Sequence, residues 1–178
     1  MPDKQHGLIH IYHGDGKGKT TAALGLCIRA LGRGRKVLFV QFLKAWDSGE
    51  LHILSQLENI HIMRGKPSGK FTFQMNENEK LACLQAHNLL WSEVCTYVQN
   101  NQVDLLILDE MLATYKNKLI DQEALLEFLR HKPPALEVVM TGRNPAPELL
   151  ELADYISEIK KVRHPFDQGV GARLGVEL

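Results

Sequence analysis

Short apolar runs alternate with segments of helical periodicity along the whole chain. The apolar runs predict strands at residues 8–12, 36–42, 59–63, 103–108 and 136–141, with a weaker strand at residues 155–159. The periodic segments predict helices at residues 20–31, 50–57, 76–100, 121–130 and 147–153. Residues 37–40 and 105–108 are apolar at every position, which is typical of parallel strands buried on both faces. The alternation predicts one α/β domain over residues 1–178, with an open, mainly parallel sheet and crossover helices.

The glycine-rich segment HGDGKGKTT, residues 13–21, connects the first predicted strand to the first predicted helix. Its glycines allow the backbone N–H groups and the helix N-terminus to face phosphate oxygens. Lys19 adds a mobile positive charge, and the Thr20 hydroxyl is placed to bind Mg²⁺. The usual motif has glycine where this chain has His13, so the match is close but not strict, and an ordinary Gly/Lys-rich turn is the alternative. The residues predicted to contact a nucleotide are Gly14, Asp15, Gly16, Lys17, Gly18, Lys19, Thr20 and Thr21.

Two carboxylates, Asp109 and Glu110, come directly after the buried strand at residues 103–108. Proteins with a phosphate-binding loop hold an Asp that orders Mg²⁺ at this place, and often an activating Glu. We expect Glu110 to make the direct contact with ligand or metal. The alternative is a helix cap or a solvated strand end.

Two arginines are candidates for phosphate contacts. Arg143 follows the strand at residues 136–141, where the carboxyl ends of parallel strands meet a ligand, and would neutralise charge on a triphosphate. The alternative is a surface arginine after a glycine turn. Arg29 on the first helix is the second candidate, with pairing to a carboxylate as its alternative.

An aromatic loop separates the third predicted strand from the long helix. Residues 64–74 are rich in glycine and lysine and carry Phe71 and Phe73 two positions apart. Exposed aromatic side chains would suit a flat, hydrophobic ligand. The alternative is that both rings pin the loop to the core.

Composition narrows the functional class. The 178 residues carry 21 basic and 21 acidic side chains, whereas a dedicated nucleic-acid binder normally has a basic surplus. No apolar run is long enough to span a membrane, and no secretory signal is evident. The cysteines form no CxxC pair, and Cys83 and Cys95 would lie about 18 Å apart on one helix, too far for a disulfide. We therefore expect a reduced protein in the cytoplasm, with partners other than nucleic acid or membrane.

Taken together, these motifs resemble the ATP:corrinoid adenosyltransferases of the phosphate-loop type, from about Gly7 to Leu178. The segments that carry the resemblance are residues 14–23, Val40-Gln41-Phe42 with Lys44, Leu108-Asp109-Glu110, Leu152-Ala153-Asp154, and the tail His164-Pro165-Phe166-Asp167 with Gly169 and Val170. The resemblance implies a P-loop NTPase-like (RecA-like) fold. It also implies an enzyme of cobalamin biosynthesis or salvage that transfers the 5′-deoxyadenosyl group of MgATP to the cobalt of cob(I)alamin or a related corrinoid, releasing triphosphate. Two alternatives remain open: a RecA-like ATPase in which Glu110 positions water, and a corrinoid carrier that responds to nucleotide without catalysis.

The resemblance also implies roles for individual residues. Lys19, Glu110 and Arg143 would serve catalysis, Thr20 and Glu110 would hold Mg²⁺, and Arg29 and Arg143 would meet phosphates. Phe71 and Phe73 would contact the corrinoid, on the lower face of cobalt. The implied partners are an electron-donating flavoprotein or another reductant, and a second copy of the chain in a homodimer. Members carry a longer N-terminal extension over the ligand site, and we expect that cover to be absent or replaced here.

Overall fold

A computed structural model describes residues 6–44, 47–65 and 72–177. The strands are β1 (Ile9–His13), β2 (Val37–Gln41), β3 (Ile60–Arg64), β4 (Leu105–Asp109), β5 (Glu137–Gly142) and β6 (Tyr155–Glu158). The helices are α1 (Lys19–Leu31), α2 (Gly49–Leu54), α3 (Glu77–Asn100), α4 (Met111–Lys116), α5 (Gln122–His131) and α6 (Pro147–Leu152). Short 3₁₀ turns cover Thr72–Gln74 and Pro165–Gln168.

The strands form one parallel sheet in the order β3-β2-β4-β5-β1-β6. The predicted open parallel sheet with crossover helices is therefore confirmed, and the weakly predicted strand at residues 155–159 is the edge strand β6. Because all strands run the same way, their carboxyl ends meet at one edge. The loops after β1, β2, β4 and β5 emerge there together, and ligands of open α/β sheets bind at this edge.

Helices cover both faces of the sheet. In β2, Val37 and Phe39 pack on the face covered by α1 and α2, whereas Leu38 and Val40 pack on the face covered by α3 to α6. Strands β2 and β4 are buried at every position, which explains why their sequences are apolar without alternation. The candidate site therefore lies at the carboxyl ends of fully buried strands.

Helix α4 was not predicted from the sequence. It has only six residues and begins directly after Glu110, so it is too short to give a helical period. Its apolar residues Met111, Leu112 and Tyr115 are buried against the sheet. Helix α2 ends at Leu54, three residues before the predicted end, because the chain turns there.

Helix α3 illustrates a boundary that the sequence does predict. The Asn76 side chain accepts a hydrogen bond from the Glu79 backbone N–H, and the Glu79 carboxylate accepts one from the Asn76 N–H. This reciprocal cap fixes the first turn of the helix. In the part of the chain described, no helix combines the length and the apolar character needed to cross a membrane.

Candidate active site

The phosphate-binding loop follows β1 and packs against the chain after β6. The Gly16 N–H donates to the Ile159 carbonyl over 2.8 Å. Gly14 has φ 124°, and a Cβ there would lie 2.3 Å from the Ile159 oxygen, so only glycine fits. His13 takes the place of the usual first glycine without distortion, because it is the last residue of β1, paired with Gly142 and Glu158.

The loop delivers Lys19 and Thr20 to the first turn of α1. Gly18 is the residue before the helix and supplies no side-chain cap, which leaves first-turn N–H groups available to a ligand, and residues 17–21 line the cleft. Lys19 Nζ donates to the Gly16 carbonyl over 2.6 Å, which folds the ammonium back over the loop. Burial lowers the pKa of Lys19, and the Arg143 guanidinium lowers it further. The loop therefore presents backbone donors and one concentrated positive charge at the same place.

Asp109, at the end of β4, is the carboxylate that joins the loop to the sheet. Its side chain is fully buried. Oδ1 accepts from Thr20 Oγ1 at 2.8 Å and from Thr141 Oγ1 at 2.7 Å, while Oδ2 faces Lys44 Nζ at 2.7 Å. The structure thus places Asp109, rather than Glu110, in direct contact with Thr20. That Glu110 makes the direct contact with ligand or metal stays a prediction.

Glu110 stands beside this network in a left-handed backbone conformation, with φ 62°. Its N–H donates to Thr141 Oγ1 over 3.0 Å, and the residue precedes α4. Its side chain borders the same cleft as the loop. Burial raises the pKa of Glu110, and the neighbouring Asp109 carboxylate raises it further. A carboxylate that is difficult to ionise without a nearby cation is a suitable partner for one.

The two candidate arginines lie at opposite ends of the molecule. Arg143 follows β5 at the carboxyl edge, is exposed, and lowers the pKa of both Lys19 and Glu110. Arg29 is in the last turn of α1, ten residues and about 15 Å of helix beyond Lys19. It borders a different cavity, with Asp104 and Glu137 at the amino edge of the sheet. The expectation that Arg29 meets the phosphates held by the loop of its own chain is therefore not met.

A cleft of about 590 Å³ opens over the loop. Its walls come from the loop and the start of α1, from Lys44 and Glu50 after β2, from Glu110, and from the C-terminal segment at Gly175, Val176 and Glu177. No local pattern of residues predicts that this tail returns to the loop. The C-terminal segment starts next to the loop, where the Asp15 carboxylate accepts a hydrogen bond from the Lys161 N–H at 2.9 Å. That hydrogen bond lowers the pKa of Asp15.

Sequence reasoning also missed the polar cluster that follows β2. Gln41, the last residue of that strand, is fully buried beside Asp109 and Glu50. Lys44 reaches both Asp109 and Glu50. A polar residue that ends an otherwise apolar buried strand was the available signal.

The aromatic loop is described only in part. Phe71 lies outside the described residues. Phe73 lies in the 3₁₀ turn Thr72–Gln74 and is 82% exposed, so it does not pin the loop to the core. It does not border the cleft over the phosphate loop. Of the aromatic pair, the structure thus describes Phe73 alone, as an exposed side chain outside the lining of this cleft.

Comparison with known proteins identifies the family. The family described as ATP:corrinoid adenosyltransferase BtuR/CobO/CobP matches residues 5–178. The chain is 33% identical to the corrinoid adenosyltransferase of Escherichia coli (strain K12), over 97% of this chain and 86% of that protein. It is 31% identical to the corrinoid adenosyltransferase CobA of Salmonella typhimurium (strain LT2), over 98% of this chain and 87% of that protein.

A solved structure is similar at the level of the fold. EssC (ATPases 2 and 3) from Geobacillus thermodenitrificans superposes with a TM-score of 0.52 at 17% identity, over 86% of this chain and 32% of that one. This likeness agrees with the predicted P-loop NTPase-like fold and indicates nothing about the reaction. The match over nearly the full sequence, on a fold with this loop, shows that the chain belongs to the ATP:corrinoid adenosyltransferase family.

Proposed function

We propose that this protein transfers the 5′-deoxyadenosyl group of ATP to the cobalt of a reduced corrinoid, cob(I)alamin or a related compound, in cobalamin biosynthesis or salvage. The observation that carries the proposal is the family match over residues 5–178, on a chain whose phosphate loop faces an open cleft. The relatives named corrinoid adenosyltransferase match over almost their whole length.

In the proposed reaction, no protein side chain needs to form a covalent bond. Cobalt(I) donates an electron pair to C5′ and forms the cobalt–carbon bond. At the same time the bond between C5′ and its oxygen breaks, and the electron pair of that bond leaves with inorganic triphosphate. No side-chain nucleophile is needed, because the metal of the substrate is the nucleophile. The protein must hold C5′ in line with cobalt and stabilise the charge of the departing triphosphate.

The phosphate loop suits the second task. In the proposed complex the backbone donors of residues 14–21 and the Lys19 ammonium bind the triphosphate. Arg143 adds a positive charge from the end of β5, and its effect on the pKa of Lys19 supports its placement near the loop. The triphosphate lies on the loop in reversed orientation, so that C5′ points to the reacting centre.

The residues around Asp109 fit Mg²⁺. The hydroxyl of Thr20 and the carboxylates of Asp109 and Glu110 are oxygen donors of the kind that Mg²⁺ prefers. We propose Thr20 and Glu110 as ligands, with Asp109 orienting the Thr20 hydroxyl through the 2.8 Å hydrogen bond. When bound, Mg²⁺ neutralises charge on the phosphate oxygens.

On the corrinoid side, we propose that Phe73 and Phe71 contact the lower face of the ring. The 82% exposure of Phe73 supports this role, because a side chain of that size gains by being covered. An aromatic ring that displaces the lower axial ligand removes electron donation to cobalt(II) and makes it easier to reduce.

The proposed cellular setting is the cytoplasm, with a flavoprotein or another reductant supplying the electron and with the enzyme acting as a homodimer. The cysteines support a reducing compartment, since Cys27, Cys83 and Cys95 are free. Burial raises the pKa of the Cys27 thiol to about 11, which keeps it unreactive.

The test is the identity of the products. Enzyme, MgATP and chemically reduced cob(I)alamin are mixed in the dark, and the products are followed by phosphorus NMR and the visible spectrum. We expect triphosphate and a light-sensitive adenosylcorrinoid in equal amounts. ADP and phosphate as the primary products, without a cobalt–carbon bond, would falsify the proposal and favour a loop ATPase in which Glu110 positions water.

A further inference from the structure

Lys44 occupies the centre of the oxygen cluster at the carboxyl edge of the sheet. Its Nζ lies 2.7 Å from Asp109 Oδ2, 3.5 Å from Thr20 Oγ1 and 3.9 Å from Glu50 Oε1. Asp109 is fully buried, so the ammonium is the cation that balances this carboxylate in the ligand-free protein. It stands beside the atoms that would face a divalent cation.

The backbone is shaped to hold Lys44 there. Leu43 adopts φ 57°, a left-handed conformation that a leucine rarely takes. The Lys44 carbonyl accepts a hydrogen bond from Arg64 Nη2 over 3.2 Å. Strained backbone persists where its surroundings enforce it, and it is concentrated at functional sites.

Among the residues that the structure describes, the cluster contains one buried hydrogen-bond acceptor without a donor, the side-chain oxygen of Gln41. The Gln41 side chain is fully buried, and its Nε2 lies 3.3 Å from Glu50 Oε1 and 3.4 Å from Asp109 Oδ2. Within the described residues, Gln41 Oε1 has no hydrogen-bond partner. A buried acceptor without a donor is costly, which indicates that a donor or a hydrated cation arrives when the site is loaded.

The geometry points to Lys44 as a mobile triphosphate-binding residue that holds the cation position at Asp109 until Mg²⁺ and ATP bind. A divalent cation brought to these carboxylates repels the ammonium. Thr20 lies in the first turn of α1, directly after the phosphate loop, and its hydroxyl is 3.5 Å from Lys44 Nζ, so phosphate oxygens bound there are within reach of the Lys44 side chain. The inference rests on the proposed function only for the identity of the phosphate ligand.

This exchange couples the two ligands. Without a metal, part of the binding free energy of triphosphate is lost in drawing Lys44 away from Asp109. Without triphosphate, a metal must displace the ammonium with no phosphate to receive it. Each ligand therefore strengthens the binding of the other by the same factor.

The experiment measures binding to the full chain in the absence of corrinoid. Mn²⁺ binding without nucleotide is followed by electron paramagnetic resonance, and inorganic triphosphate binding without metal by calorimetry. For Lys44→Met we expect Mn²⁺ to bind about tenfold tighter or more, and triphosphate about tenfold to a hundredfold weaker. The matched control is Lys80→Met, which removes a lysine paired with Glu77 on the surface of α3 and should change neither affinity. Unchanged Mn²⁺ and triphosphate affinities in folded Lys44→Met would overturn the inference.

Lys44→Met leaves the buried Asp109 carboxylate without a cation. If that variant fails to fold for this reason, a second pair of variants tests the role of Lys44. Asp109→Asn frees Lys44, so metal-free triphosphate should bind several-fold tighter than in the wild type. That gain should disappear in Asp109→Asn/Lys44→Met, which removes both charges of the Asp109–Lys44 pair. Equal triphosphate affinity in these two variants would contradict the role of Lys44, and this result would not bear on the proposed adenosyl transfer. A wild-type protein that binds no triphosphate would instead count against the proposed function.

Discussion

The two edges of the sheet carry similar side chains and very different sites. The carboxyl edge has the cleft of about 590 Å³, with Lys19, Lys44 and Arg143 near Asp109 and Glu110. The amino edge has a cavity of about 430 Å³, which also combines arginines with carboxylates. Its charged residues are Arg29, Arg33, Arg35, Asp104 and Glu137.

The two edges differ in where their charged side chains lie relative to the ends of α1 and to buried partners. At the carboxyl edge, the polar contacts converge on one buried carboxylate, next to the N-terminus of α1, which attracts anions. At the amino edge, Arg29 lies at the C-terminal end of the same helix, where a cation is favourable on its own. Glu137 is engaged locally, accepting from the Leu8 N–H and facing His10 Nε2 at 2.5 Å. The same residue types thus form the proposed phosphate site at one edge and local charge compensation at the other.

Asp109→Asn should have the largest effect on the carboxyl edge. It removes the charge that orients Thr20 and balances Lys44, and a correctly held metal ion stabilises the transition state by several kcal/mol. We expect kcat to fall about a thousandfold with MgATP in steady-state assays. Glu137→Gln at the amino edge is the control and should leave kcat near its wild-type value.

Lys19→Ala should weaken the binding of the triphosphate. Charge-assisted hydrogen bonds contribute about 1.5–3 kcal/mol, so we expect roughly tenfold to a few hundredfold loss in kcat/KM for ATP. The loss should appear in ATP affinity measured by calorimetry. Near-normal affinity and turnover in this variant would remove the loop from the mechanism.

Phe73→Ala tests whether the carboxyl edge continues into the aromatic segment. Because Phe73 is exposed, we expect the melting temperature and ATP affinity to stay unchanged, while adenosylation of cobalt(II) corrinoid with a reductant falls about tenfold or more. Phe39→Ala is the contrasting variant. That side chain is fully buried in β2, so its removal should cost about 3–5 kcal/mol of folding stability. Normal activity with lost stability in Phe73→Ala would contradict the corrinoid role.

The sequence predicted most of the fold because its signals are local. Strands β2 and β4 are apolar up to their last residue, and the Asn76–Glu79 cap marks the start of α3. The phosphate loop was equally evident, since its glycines, Lys19 and Thr20 are contiguous. Family resemblance then supplied the reaction, which these motifs alone left open between transfer and hydrolysis.

The remaining features depend on contacts between distant parts of the chain. Lys44 and Asp109 are 65 positions apart, and Glu177 reaches the loop only because the tail folds back. The hydrophobic periodicity of a sequence does not predict contacts between residues so far apart. Arg29 is different, because ten residues at the helical rise already separate it from Lys19 by about 15 Å. Counting that distance would have excluded it from the loop.

Arg143→Ala and Arg29→Ala compare the two edges directly. An exposed charge contributes on the order of 1 kcal/mol, so Arg143→Ala should lower ATP affinity about fivefold at low salt. The deficit should shrink as ionic strength rises, because salt screens an exposed charge. Arg29→Ala should leave ATP affinity unchanged at any salt concentration. A larger loss in Arg29→Ala would show that the amino edge takes part in nucleotide binding.

Glu110→Gln should stabilise the ligand-free protein slightly, because it removes a carboxylate whose ionisation is unfavourable in the folded state. Burial and Asp109 raise the pKa of Glu110 above its ordinary value, so the folded state holds this proton more tightly than the unfolded state does. Stability is then lost as pH rises from the ordinary glutamate range through the raised pKa. At pH 7–8 the variant lacks this penalty and should unfold at a higher temperature than the wild type. The difference should close as pH falls below about 4, where Glu110 becomes protonated in both folded and unfolded chains. Thermal unfolding of both proteins across this pH range measures it, and a gap that widens at low pH would contradict the buried, proton-holding Glu110.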